Sequence, residues 1–263
     1  VPAPPPVPAP TPLSALLSDT ALIFGRYARQ TTASVFQVLF GILMPMLYLL
    51  LFGPLLTGLP LGAEGDSWQV LVPGLLLQLS LFGALFTGFG IVIEKQTGVV
   101  ERMLVTPVSR LALLLGRVLR DALLLVFQAV LLVGTALAMG LRAPVGGVLI
   151  GFAFVAVTTV ALASLSYSLA MRVSKPQEFA PVVNTATMPA MPLSGLMLPM
   201  SLAPGWLDGL SHVMPLRYLV DAVRAGYVGD CTGPTTLYGA LVALAFAALA
   251  MTVGVRAFRR SGA

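Results

Sequence analysis

The sequence predicts an all-α membrane protein of about six transmembrane helices, with an amphipathic helix ahead of the first span and short broken helices before the last. Three observations predict it. Of 263 residues, 57% are hydrophobic and only 10% charged, against about 25% charged in a typical soluble chain. Six stretches without Asp, Glu, Lys or Arg are each long enough to span: Gln30–Ala63, Ser67–Ile93, Ala122–Leu141, Ala143–Met171, Phe179–Leu207 and Thr232–Val255. Alternation with period two, the signature of a membrane β-barrel, is absent, so these stretches read as helices that satisfy their own backbone hydrogen bonds in lipid.

The chain opens on a proline-rich tract, 1–12, expected to be an extended or disordered tail because its prolines cannot donate the bonds a helix needs. It lacks the basic and apolar regions of a signal peptide. Residues 13–32 then form a helix that Thr11 can cap and Pro12 can begin. Leu13, Leu16, Leu17, Phe24 and Tyr27 fall near one face, and Arg26 and Arg29 follow. Two readings fit: an amphipathic helix lying in the cytoplasmic interface, or a short helix packed on the bundle. Residues 33–257 form the transmembrane domain and 258–263 a cytoplasmic tail.

The net charge is +5. Basic residues lie between apolar runs, not in one patch, which fits the positive-inside bias and not a nucleic-acid surface. With the N-terminus inside, every one of the 15 Lys and Arg residues except Arg142, Arg217 and Arg224 falls on the inner side. Both termini are therefore expected in the cytoplasm, in a multi-pass protein of a bacterial inner membrane. Arg110, Arg117 and Arg120 share one side of a helix and can snorkel toward headgroups. Asp121 and Glu178 lie at span boundaries, where water is expected to solvate them.

The most charged segment is the loop 94–110, between the second and third spans. Gly98 and Pro107 punctuate it, and 99–106 can form a short amphipathic helix. It reads either as a dock for a soluble motor or as a solvated charged turn. The fifth apolar run holds Pro181, Pro189, Pro192, Pro199 and Pro204, with Gly195 among them. An unbroken helix there would lose several hydrogen bonds, so the span should end near 193–196 and give way to short helices. Trp206, His212, Arg217, Tyr218, Asp221 and Arg224 then form an outer layer across 194–230.

Several chemistries are missing. The only lysines, Lys95 and Lys175, do not follow glycine, so no Gly-Lys-Ser/Thr loop is present to hold ATP phosphates. One histidine and one cysteine, Cys231, make neither a metal cluster nor a disulfide. No acidic residue lies inside a predicted span, which disfavours ion coupling. A Ser194–His212 protease would need a base within hydrogen-bond reach, and a helix break explains the Ser-Gly pair better.

Three regions carry a resemblance to a known family. They are Glu94–Arg110 (EKQTGVVERMLVTPVSR), Pro192-Leu193-Ser194-Gly195 with Pro199, and Pro204-Gly205-Trp206-Leu207 followed by Pro215-Leu216-Arg217-Tyr218, Asp221 and Arg224. The sequence resembles the ABC-2 type transporter permeases, in particular those of daunorubicin-resistance-type drug exporters. The resemblance implies re-entrant helices around Pro192, Ser194, Gly195, Pro199, Trp206 and Pro215. It implies an ATPase-coupling helix over Gly98–Thr106, with Glu94, Glu101 and Arg102 as its polar anchors. It also implies a second permease copy, a homodimer, seated on two copies of an ABC ATPase that binds ATP and Mg; the permease itself is not an enzyme.

The cargo so implied is a hydrophobic or amphiphilic drug, antibiotic or lipid-like metabolite, moved outward. By chemistry, Phe36, Phe40, Met44, Tyr48, Phe82, Phe86, Phe89, Met188 and Met191 are candidates for its path, because Met and aromatic side chains adapt to varied apolar ligands; ordinary helix packing would use the same residues. A glycan polymer exported by the same fold, a membrane-embedded enzyme and an anchoring protein without transport are the alternatives.

Overall fold

The computed structural model describes residues 12–32, 35–56, 66–100, 109–196 and 199–260. Its helices are α1 (Pro12–Thr32), α2 (Val35–Leu56), α3 (Ser67–Phe86), α4 (Gly88–Gln96), α5 (Arg110–Ala138), α6 (Val145–Arg172), α7 (Pro176–Leu193), α8 (Gly205–Ser211), α9 (Pro215–Val228) and α10 (Pro234–Arg260), with a 3₁₀ turn at Met200–Leu202. No strand occurs among the described residues.

Four helical segments are long and apolar enough to cross a membrane: Ser67–Gln96, Arg110–Ala138, Val145–Arg172 and Pro234–Phe258. The first joins α3 and α4 across Thr87. Within α2, Gly41–Leu55 is a shorter apolar stretch. α7 runs for 18 residues with Pro181, Pro189 and Pro192 inside it. Sequence reading counts α2 and α7 as spans; among the described residues, length and composition place the four segments in that class.

α6 is the hub, with α3, α4, α5, α9 and α10 packed around it. Its small and hydroxyl residues, including Ala161, Ala163, Ser164 and Ala170, are buried, which lets neighbouring backbones approach closely where lipid offers no hydrophobic drive between helices. The two ends of the bundle differ. At one end lie most of the basic residues, and there Lys95 Nζ donates to the carbonyls of Ala170, Met171 and Val173 at 3.3, 3.1 and 2.9 Å. A cation at these carbonyls both satisfies orphan acceptors and meets the negative end of the α6 dipole. Arg110 Nη1 donates to Phe258 O at 2.9 Å at the same end. That contact belongs to α10, which continues as helix through Arg260, three residues past the boundary expected from sequence.

α1 docks along α5. Its buried line is Thr20, Ile23 and Tyr27, packed with Leu113. The sequence places Leu13, Leu16, Leu17, Phe24 and Tyr27 on that face; Tyr27 is buried there, and the side chain of Leu13 lies outside the described residues. Leu17 instead is exposed, as is Leu22. The face is set by where α5 lies, not by the largest apolar side chains of α1.

At the far end, α7 stops at Leu193 and Gly195 takes a left-handed φ of 67°, a conformation open to glycine at little cost. Pro204 precedes α8 and Pro215 begins α9, the positions where proline's missing N–H and fixed φ suit a helix start. The expected short helices after the break are therefore present. α9 is not a surface element, however. It packs on α3, α6 and α10, and Leu219, Val220, Ala222, Val223 and Tyr227 are fully buried.

Candidate functional site: a ring-walled cavity with a charged floor

Between α2, α3, α4, α5 and α7 lies a cavity of about 940 Å³. Its wall is built on helical spacing. Gln78, Phe82 and Phe86 recur every four residues along one face of α3, and Phe89 and Ile93 continue the line on α4. Met44 and Tyr48 face them from α2, and Met191 and Asn184 from α7. The cavity size suits an organic molecule: pockets for drug-sized ligands run about 300–1,000 Å³.

Of the path candidates read from the sequence, Met44, Tyr48, Phe82, Phe86, Phe89 and Met191 line this one space. Met188 does not line it and is 79% exposed on the outside of α7. The side chains of Phe36 and Phe40 lie outside the described residues. Phe89 also leans on Phe179, centroids 6.3 Å apart, so part of the wall is braced from behind by α7.

The floor, toward the basic end, is ionic. Glu94 Oε2 and Arg117 Nη2 pair at 2.6 Å. Tyr27 donates to the same carboxylate oxygen at 3.2 Å, and the Arg117 guanidinium stacks over the Tyr27 ring, 4.5 Å from its centroid. Burial lifts the Tyr27 phenol to about 12, so it stays a donor throughout the physiological range. One helical turn further along α5, Asp121 pairs with Arg120 at 2.6 Å and accepts a hydrogen bond from Tyr167 of α6. Two adjacent clusters thus form the floor: Tyr27, Glu94 and Arg117 join α1, α4 and α5, and Arg120, Asp121 and Tyr167 join α5 and α6.

Two sequence expectations are corrected here. Asp121, expected to be solvated at a span boundary, is 1% exposed. Arg117, expected to snorkel, is 5% exposed and turned inward. The reason is the length of α5. It begins at Arg110, not at Ala122, so a stretch carrying three arginines and an aspartate lies inside a helix long enough to cross. A rule that ends spans at charged residues cannot see charges that neutralise one another within the bundle. The signal available in sequence was Arg117 and Asp121 at i, i+4 on a helix face, below an otherwise apolar run.

The remaining predicted residues are elsewhere. Gly98 closes α4 with φ 71°, and its N–H donates to Lys95 O at 3.1 Å. Glu101, Arg102 and Thr106 lie outside the described residues. Ser194 Oγ donates to Ala190 O at 2.6 Å, while His212 Nδ1 lies 2.8 Å from Asp208 O, so the two side chains serve different local turns. Trp206 is 73% exposed on α8. Arg224, which the sequence reading places with the outer layer, is buried. Its Nη2 donates to Gly195 O at 2.8 Å and its Nε to Val70 O at 3.3 Å. It ties the turn after α7 to α3. Burial pushes its guanidinium down to about 10, still charged at neutral pH.

A membrane bundle with a ring-walled cavity and an ionic joint at the root of a charged loop matches a known sequence profile, that of the ABC-2 type transporters, over residues 19–228. The chain belongs to the ABC-2 type transporter family. As an ABC-2 transporter component it is a multi-pass membrane protein. Among its relatives, the transport permease ycf38 of Cyanophora paradoxa is 26% identical over 192 residues, covering 71% of this chain and 66% of the relative. The doxorubicin resistance ABC transporter permease DrrC of Mycobacterium tuberculosis is 25% identical over 225 residues, covering 81% and 78%. The daunorubicin resistance permease DrrB1 of Streptomyces coeruleorubidus is 24% identical over 190 residues, covering 72% and 67%. The chain thus spans about two thirds of the ycf38 relative. The matched profile contains the whole described cavity and its floor.

Proposed function

We propose that this ABC-2 permease is the membrane subunit of an ATP-driven exporter of hydrophobic or amphiphilic compounds. The observation that carries the reading is the cavity of about 940 Å³ walled by phenylalanine and methionine. Its relatives named for doxorubicin and daunorubicin resistance support the cargo class. In this reading two copies of an ABC ATPase bind ATP and Mg, a second permease copy completes the path, and α2 and α7 join the four long segments as spans. The basic end faces the cytoplasm of a bacterial inner membrane with both termini, and the short helices of 194–230 are re-entrant. The test is co-expression with an ABC ATPase and ATPase measurement in proteoliposomes against a panel of aromatic amphiphiles, lipids and oligosaccharides. Stimulation by amphiphiles supports the reading. Stimulation by oligosaccharides alone would replace it with glycan export, which aromatic walls also suit.

Coupling runs through the loop that begins at Gly98. ATP-driven closure can bias the bundle only through contacts that differ between two states, and a loop rooted in the Glu94–Arg117–Tyr27 joint makes such contacts. Proline at position 98 is incompatible with φ 71°, because its ring holds φ near −65°. Gly98→Pro and Glu101→Ala are therefore expected to leave basal ATP hydrolysis by the partner but abolish cargo-stimulated turnover. Normal transport by both variants at normal expression would remove the loop from the mechanism.

A further inference from the structure

The upper part of the cavity carries a feature that a purely apolar path does not need. Gln78 on α3 and Gln128 on α5 both line the cavity, at 3% and 2% exposure. Helix geometry puts them at one depth. Gly83 of α3 lies against Leu125 of α5. From that level Gln78 lies about 7 Å and Gln128 about 5 Å toward the far end, at 1.5 Å per residue. Gly41 of α2 closes the same tier: a Cβ there would stand 2.9 Å from Gln128 Nε2. The amides form a polar band about 10 Å from the Asp121 floor along α5, with Phe82 and Phe86 between.

The Gln78 carbonyl oxygen has no hydrogen-bond partner among the described residues. Buried acceptors left unmet are costly and rare, and each needs an account. This one borders a cavity wide enough for an organic molecule. We infer that Gln78 is a specificity determinant of the cargo site, accepting a hydrogen bond from a hydroxyl or amine of an amphiphile whose ring system lies against Phe82 and Phe86. The inference rests on the export reading above for the cavity being a cargo site, and adds the chemical class: ring-bearing molecules with a neutral donor about one ring-length from the apolar body. Gln128, held close by α2, sets the width of the tier.

The test is equilibrium binding to the purified permease in lipid nanodiscs, without ATPase, using 4-(1-pyrenyl)butanol and its methyl ether. The two probes share ring and chain and differ only in the donor. Wild type is expected to bind the alcohol about fivefold to tenfold more tightly. Gln78→Met keeps side-chain length and removes the amide, so it should bind both probes alike, at the ether's affinity. Equal binding of the two probes by wild type overturns the role of Gln78 and leaves the cavity as an apolar cargo site; it is also the result expected if a resident water meets the carbonyl. Binding of neither probe overturns the cargo site and this inference with it. Because the comparison between probes is made in wild type, the outcome does not depend on how well the variant folds.

Discussion

Truncating Arg117 to alanine is expected to produce the largest loss of stability of any single substitution in the floor. Arg117 is buried in the bundle and meets Glu94 at 2.6 Å and the Tyr27 ring at 4.5 Å. Its removal leaves the Glu94 carboxylate, whose side chain is only 21% exposed, without its cation. Breaking one side of such a pair costs about 3–5 kcal/mol, and the loss of packing on Tyr27 and α1 adds to it. The thermal midpoint in detergent should fall by roughly 10 °C, and α1 should gain protease sensitivity. The decisive comparison is with the double variant Glu94→Gln, Arg117→Met. Removing both charges costs far less than removing one, so the double variant should recover much of the midpoint while remaining inactive in cargo-stimulated turnover. If the double variant is as unstable as Arg117→Ala, the pair is not coupled as the geometry implies. Recovery of both stability and turnover would instead show that the pair is structural alone.

Gly74→Ala is expected to have the second largest effect, at the other end of the bundle. A Cβ on Gly74 would stand 1.8 Å from Leu196 O and 3.0 Å from its carbonyl carbon. The obstacle is backbone, which cannot rotate aside as a side-chain tip would. The turn at Gly195 and Leu196 must therefore leave α3, and Arg224 can no longer hold Val70 O and Gly195 O together. Overpacking costs about 1–3 kcal/mol where side chains yield, and this site should reach or pass the upper end. Hydrogen exchange should rise at residues 194–196 and around Arg224 on α9, with little change at the α1–α5 contact. Arg224→Lys should reproduce most of that local loosening, because one ammonium cannot hold Val70 O and Gly195 O as a planar fork does. Protection at 194–196 that is unaltered in Gly74→Ala would mean the turn is held by contacts other than this close approach.

These two expectations lie at opposite ends of α3, and they divide the molecule in a way the sequence only partly announces. The floor gathers α1, α4, α5 and α6 around charges. The far end gathers α3, α7 and α9 around backbone carbonyls and one arginine. The cavity lies between, and a change at either joint alters its width. The ring wall of α3 and α4 is one continuous line of side chains, tied at both ends.

Much of this was legible from residue order alone. Apolar runs of about 20 residues in a chain with 10% charge require helices in lipid. Glycine and proline mark the end of α7 and the starts of α8 and α9, because their backbone preferences are local. Phe82, Phe86 and Phe89 were recognisable as one group, since helical spacing already places them on neighbouring faces. The resemblance in Glu94–Arg110 and in the prolines of 192–215 pointed to the ABC-2 family, which the match over residues 19–228 establishes.

What sequence could not supply was the partner of each charge. Asp121 looked like a boundary residue because Arg120 and Arg117 are visible beside it, while Tyr167, 46 positions away, is not. The burial of Arg224 was hidden because nothing local reveals that Val70 O, 154 positions back, is its acceptor. The same is true of Gln78, whose unmet carbonyl acquires meaning only once α2 and α5 enclose it. Sequence determined the helices, their breaks and the solvent they need, because those depend on residues a turn or two apart. Tertiary structure alone decided which polar groups are buried together, because desolvation and pairing are properties of a place in the bundle and not of a position along the chain.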